Sequence, residues 1–243
     1  MRKLTRSLST TLILLLSGPL FAQWIEYPNV DEGFLVNFPG EPIAEEIEWV
    51  SEYDATIPAR RYSVDSARGS YSVTVVDYRF ISRGDEAQSI RAARVAHCPE
   101  GAETCLGGAG MGTGIGYWRV DMQGSMVYGA WQIMQRDAEV DYFTWNFTDL
   151  VEGLQITLTN PDQSRTYASL YLHDDRLYIL EATTPEGVRG AEVFQQSLGF
   201  LDPEGIRIRY ERYYHNSAPR PERACRDPSA SVFCPIYSGF SDP

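Results

Sequence analysis

Ala168-Ser169-Leu170-Tyr171-Leu172-His173-Asp174-Asp175-Arg176-Leu177-Tyr178-Ile179-Leu180 decides the fold class. Ala168, Leu170 and Leu172 recur at every second position, as does a strand with one buried face. The run stops at His173-Asp174-Asp175, where aspartates favour a turn by hydrogen-bonding local backbone. Leu177 to Leu180 then runs back. Two strands joined this closely must be antiparallel, because a parallel return needs a long crossover.

Working outward, the same period recurs. Leu154, Ile156 and Leu158 lead into Asn160-Pro161-Asp162-Gln163, a turn by composition, so three strands form a meander. Phe143, Trp145 and Phe147 alternate before them. Nearer the N-terminus, Phe34, Val36 and Phe38 alternate with Leu35 and Asn37 until Pro39-Gly40-Glu41-Pro42 stops the strand. Ile43, Ile47 and Trp49 follow, then Tyr62 and Val64, then Tyr71, Val73 and Val75. Trp118, Val120 and Met122 read as a further strand, and Met126 to Met134 fits either helix or strand, with helix favoured. Helices are also expected over Asp85 to Cys98, with Ala87, Ile90 and Ala93 at helical spacing, and after Thr184, an N-cap with Pro185 behind it. Ala191, Phe194 and Leu198 supply the stripe of that last helix. The pattern predicts an α+β domain with a central antiparallel sheet flanked by helices.

The ends read differently. Arg2, Lys3 and Arg6, the apolar run Leu12 to Leu16, the Gly18-Pro19 break and the small Ala22 stand in the order of a secretory signal peptide, with cleavage before Gln23. The apolar run is far shorter than the ~20 residues that a membrane span requires. The division expected is residues 1–22 as signal, 23–205 as one domain, and 206–243 as an irregular tail. The predicted compartment is the periplasm or the exterior, with no integral membrane segment after cleavage. Cys98, Cys105, Cys225 and Cys234 are an even set, which in an exported chain favours disulfides. Three pairings are possible; the local ones, Cys98 with Cys105 and Cys225 with Cys234, are expected. A zinc site is the rival reading, but the close CxxC spacing is missing and His97 is a single imidazole.

Composition excludes several functions. A formal charge of −12 opposes binding to nucleic acid or an anionic membrane surface. Lys3 is the only lysine and falls within the signal, which removes Schiff-base chemistry and a Gly-Lys-Ser/Thr phosphate loop. The glycines at 110, 112, 114 and 116 recur every second residue, not in the dinucleotide-binding spacing. Gly-x-Ser-x-Gly is missing, since Ser125 directly follows Gly124. No cofactor and no metal site are expected. Asp137, Glu139 and Asp141 offer oxygens for calcium but lack a looped motif around them.

Two groups remain as candidate ligand-binding residues. His173, Asp174 and Asp175 combine an imidazole with carboxylates. Trp118 and Trp145, among many aromatics, would hold a carbohydrate, peptide or lipid if they shared an exposed sheet face.

Phe34 to Pro42 (F-L-V-N-F-P-G-E-P), Arg176 to Glu181 (R-L-Y-I-L-E) and Phe194 to Phe200 (F-Q-Q-S-L-G-F) are similar to segments of exported bacterial proteins of PsbP-like fold. That resemblance implies an α/β/α sandwich around a central antiparallel sheet, from Trp24 to Phe200 in element order. The fold is shared by a photosystem extrinsic subunit and a Ran-binding transport factor. Its members mostly bind partners and share no common catalytic residues, so the resemblance carries over no active site. It implies a non-enzymatic binding module of the cell envelope, taking a protein or a small ligand. The alternative is a hydrolase or other enzyme with a site outside the known motifs, centred on His97 or His173.

Overall fold

The structure, a computed structural model, describes residues 24–79, 116–188 and 191–215, the side chains of 116–119 excepted. The chain forms β1 (Ile25–Asn29), β2 (Phe34–Phe38), β3 (Ile43–Val50), β4 (Thr56–Ser66) and β5 (Gly69–Asp77), then α1 (Gly116–Met134). It continues through β6 (Glu139–Thr148), β7 (Val151–Thr159), β8 (Arg165–His173), β9 (Arg176–Thr184), α2 (Ala191–Gln196) and β10 (Gly199–Phe200). Seven strands make one antiparallel sheet in the order β3-β4-β5-β9-β8-β7-β6. The second sheet, β1-β2-β10, is also antiparallel.

The described residues are therefore mostly β, with two antiparallel sheets and few helices. Each face of the large sheet carries its own core. On one face, alternate residues of β5 and β9 (Tyr71, Val73, Val75; Tyr178, Leu180, Ala182) pack against Phe34, Val36, Phe38, Phe194 and Phe200. Phe34, Val36 and Phe38 are wholly buried, which contributes about 1.5–3 kcal/mol for each side chain. On the other face, Leu154, Ile156, Leu158, Leu170 and Ile179 pack against α1 through Met122, Met126, Ala130 and Ile133.

The expected central antiparallel sheet is present. Among the described residues its flanks differ from expectation, because one face is covered by a second small sheet and the six residues of α2. Residues 118–122 correct a second expectation: Trp118, Val120 and Met122 lie in α1, not in a strand. Trp118 and Met122 are also four apart, so five residues satisfy both periods. Burial separates the two readings, for Met122 and Met126 are buried and Val120 is exposed. The helix expected from Thr184 begins later, at Ala191, and Thr184 is instead the buried end of β9, paired with Arg165. The Asp85–Cys98 helix, the glycines at 110, 112 and 114, and all four cysteines lie outside the described residues. Residues 206–215 run along the large sheet, with Ile208 and Tyr214 buried and Tyr214 bridged to Val151. Among the described residues, no helix is long and apolar enough to cross a membrane.

Tyr171 shows how closely the strands are fitted. Its ring lies across Gly153 on β7, where an added Cβ would sit 2.3 Å from the ring. Its hydroxyl accepts hydrogen bonds from Asn146 Nδ2 at 2.9 Å and Thr148 Oγ1 at 3.0 Å. One phenol on β8 thereby holds the edge strand β6 across its neighbour. Gly153→Ala is expected to destabilise the protein by about 2–3 kcal/mol through overpacking. Urea denaturation checks this, and a loss below about 0.5 kcal/mol would refute this account of the glycine.

Candidate functional site

The first candidate site grows from one end of the large sheet. Strand register sets Asp77, Arg176 and His173 side by side on β5, β9 and β8. All three share the face that bears Tyr171 and Tyr178, because side chains alternate along each strand. The β8–β9 connection is only Asp174-Asp175, with φ of +49° and +61°. A two-residue hairpin loop with both residues left-handed matches the natural strand twist. Aspartate tolerates that region better than most residues, so the acidic pair has a local conformational reason to be there.

His173 is 3 % exposed and stacks on Phe200 at 4.2 Å between ring centroids. Its Nε2 is 2.7 Å from the Tyr210 hydroxyl. Tyr214 lies against the same imidazole, and its hydroxyl accepts the Asp174 N–H at 3.1 Å. Arg79 forks onto Asp77, Nε to Oδ1 at 2.7 Å and a terminal nitrogen to Oδ2 at 2.6 Å. Asp202 accepts the N–H groups of Glu204 and Ile206, which shapes the adjoining loop.

Arg176 is the unusual member. It is 6 % exposed; a terminal nitrogen donates to the Asp31 carbonyl at 2.7 Å, and the guanidinium also hydrogen-bonds the Tyr178 hydroxyl. Its Nε is buried with no partner, and no described carboxylate lies within ion-pairing distance of it. An unmade buried donor costs about 1–3 kcal/mol. Gly33, at φ +69°, packs against this guanidinium, where a Cβ would meet the other terminal nitrogen at 2.9 Å. Beside it, the Tyr178 hydroxyl donates to the Glu32 carbonyl at 2.7 Å. Arg176 and Tyr178 thus tie the β1–β2 turn to the large sheet. Together these groups line a cavity of about 480 Å³, walled also by Leu201, Ile208, Tyr210 and Tyr214.

The second candidate site is the outer edge of β6. Phe143, Trp145 and Phe147 lie in register with Ile156, Leu154 and Glu152, on the face of the sheet that α1 partly covers. They are 49 %, 57 % and 45 % exposed. Tyr213 packs against Phe147 with ring centroids 5.0 Å apart. Among the described residues no strand pairs with the outer side of β6, and its N-terminal end carries a bulge between Val140 and Tyr142.

The residues singled out from sequence divide between these places. His173, Asp174 and Asp175 stand together at the cavity end, and Trp145 stands on β6, on the opposite face of the sheet. Trp118 falls in the first turn of α1, where only the backbone is described. Asp141 accepts a hydrogen bond from Thr159 at 2.7 Å, and His215 pairs with Glu152. Among the described residues, no three His, Cys, Asp or Glu side chains gather as a metal-ligand set. Sequence reading missed Arg176, Tyr178, Tyr210 and Tyr214. The signal for Arg176 was present: period two puts it on the same face as Tyr178 and Leu180, an odd place for a cation.

Burial holds the Tyr178 phenol well above its ordinary 10.0, with nearby Arg176 opposing the shift in part. Burial raises Tyr171 too, opposed by its hydrogen bonds from Thr148, Ser169 and Asn146. An unfolded chain releases these protons near the ordinary value and the folded one does not. Stability is therefore independent of these groups below about pH 9 and falls as pH rises past about 10. In Tyr178→Phe, the loss of stability between about pH 8 and about pH 10.5 should be smaller than in the parent protein. Urea midpoints at the two values measure it, and equal losses would remove Tyr178 as a cause.

No family model matches this chain, and no curated protein matches it. Among solved structures, it is similar to the solution structure of cyanobacterial PsbP (CyanoP) from Synechocystis sp. PCC 6803. The likeness covers 77 % of this chain and 98 % of that one, at 13 % identity and a TM-score of 0.38. At that level it carries nothing about the residues of either site.

Proposed function

We propose that this protein is an exported, non-enzymatic binding module of the bacterial cell envelope, of PsbP-like sandwich architecture, that takes an extended, basic segment of a partner protein along β6. The observation that carries the reading is the exposed row Phe143, Trp145 and Phe147 on a ten-residue edge strand. Exposed edges are usually blunted by lysine, proline or short length. β6 contains neither residue, and among the described residues its protection is its bulge with Glu139 and Asp141. An added strand would gain main-chain hydrogen bonds along the edge, while alternate side chains meet the aromatic row. The acidic pair on β6 and the net charge of −12 favour arginine and lysine in that partner.

Export rests on the signal-like order of Arg2, Lys3, Arg6, Leu12 to Leu16 and Ala22. The sandwich assignment rests on the three sequence segments given above, which fall on β2, on β9 and across α2 and β10. The hydrolase alternative draws its support from the His173–Tyr210 hydrogen bond at the cavity. Among the described lining residues, however, none is a serine, threonine or cysteine.

Affinity purification of the tagged protein from its own envelope tests the proposal. Crosslinking must use carboxylate-reactive or photoactivated reagents, since Lys3 is the only lysine. The recovered chain should begin at Gln23 by mass spectrometry, and a chain retaining Met1 would overturn the export reading. Replacing Phe143 and Trp145 together by alanine should reduce partner recovery at least about tenfold, while the fold is retained with a stability loss of about 1–3 kcal/mol. Ile43→Ser at the opposite edge should leave recovery unchanged. Equal recovery from all three proteins would refute β6 as the docking edge.

A further inference from the structure

We infer that the cavity beside the β8–β9 hairpin is a binding site for a small organic monocarboxylate, held through the guanidinium of Arg176. The inference is independent of the β6 reading, because the two sites lie on opposite faces of the large sheet.

Three observations converge on that ligand class. Arg176 lines the cavity, is 6 % exposed, and among the described residues bonds the Asp31 carbonyl and the Tyr178 hydroxyl while its Nε–H is left without a partner, where a guanidinium offers five donors. No described carboxylate forms an ion pair with it, whereas Arg79 at the same cavity is already forked onto Asp77. A buried cation without a counter-ion is costly, and a ligand carboxylate supplies the missing charge with bidentate geometry. The second observation is the wall: Leu201, Ile208, Tyr210 and Tyr214 give an apolar and aromatic surface for the body of an organic acid. The cavity, about 480 Å³, falls within the usual size of small-molecule sites. The third is the remaining charge of the lining. Among the described lining residues Arg176 is the one arginine not already forked onto a carboxylate, so its single positive charge matches one carboxylate and leaves a multiply charged anion such as phosphate unmatched.

No covalent step is involved; the site captures and releases. Because the Arg176 Nε is buried, its N–H proton is shielded from exchange, which makes it a direct spectroscopic reporter.

The experiment is a titration of the full exported protein with phenylacetate, phenylacetamide and inorganic phosphate. It is followed by calorimetry and by ¹⁵N–¹H spectra of the arginine Nε–H groups. Arg176→Lys identifies the Arg176 peak by its disappearance. Phenylacetate should bind at least about tenfold more tightly than phenylacetamide, phosphate should bind no better than the amide, and the Arg176 peak should move with the same midpoint as the heat. Arg176→Gln should lose at least about tenfold in affinity, with Arg176→Lys recovering part of it. Since Arg176→Gln also releases the Asp31 carbonyl and is at risk of misfolding, the comparison of ligands on the unaltered protein stands by itself. Equal affinity for acid and amide, tighter binding of phosphate, an unmoved Arg176 peak, or no binding of phenylacetate below about 10 mM would each overturn the inference. Phe143→Ala/Trp145→Ala should bind phenylacetate as the parent does, which separates failure here from failure at β6.

Discussion

The pairing of β5 with β9 is the constraint on which both the fold and the cavity depend. It joins the N-terminal strands β3 to β5 to the C-terminal meander β6 to β9, across a separation of about a hundred residues. Such contacts are entropically expensive to close, so they must be repaid by burial. Here the repayment comes on both faces. The pairs Val73–Leu180 and Val75–Tyr178 feed one core, and Val76–Leu177 feeds the other. Without this seam, each half would expose the sheet face that the other half helps to cover. The last pair of the same seam, Asp77 with Arg176, sets the register of the cavity. A slip of one residue would turn Arg176 to the α1 side and replace it by an aliphatic neighbour.

That end of the sheet carries a cost, because a guanidinium is buried there with no ion pair among the described residues. Its structural return is visible in the β1–β2 turn, which Arg176 and Tyr178 hold by its Asp31 and Glu32 carbonyls. The Glu32 side chain extends the link to Arg60 on β4 at 2.9 Å. A carbonyl is a weaker partner for a cation than a carboxylate, so a tie to the turn explains the position of Arg176 better than it explains the charge. The β6 edge poses the opposite problem. There the side chains are apolar and the surroundings are water, and the strand is held from behind by Asn146 and Thr148 on Tyr171. One site is a charge kept from water and the other is apolar surface left in it.

Much of this architecture was legible from residue order. Phe34-Val36-Phe38, Tyr71-Val73-Val75 and the β7–β8–β9 meander follow period two, because each has one face against a core. The Asp174-Asp175 turn was legible too, since few residue types accept its backbone conformation. Trp118 to Met122 was misread because five residues cannot separate a period of two from one of 3.6 when positions 118 and 122 fit both. Thr184-Pro185 has the chemistry of a helix start, yet Thr184 is retained by its pairing to Arg165 on β8. Trp145 was rightly placed on a strand, but period two does not say whether a face is covered.

Strand period, turn positions, acidity, the single lysine and the signal-like N-terminus depend on neighbours along the chain and could be read from residue order. The order β3-β4-β5-β9-β8-β7-β6, the second sheet β1-β2-β10 and the meeting of His173, Arg176, Tyr210 and Tyr214 were decided only in three dimensions. The reason is physical. An alternating strand announces that one face wants burial, but many partners can satisfy that demand equally well. Which strand lies beside which is settled by the joint packing of both cores, and a site made at such a seam becomes visible only once the seam has closed.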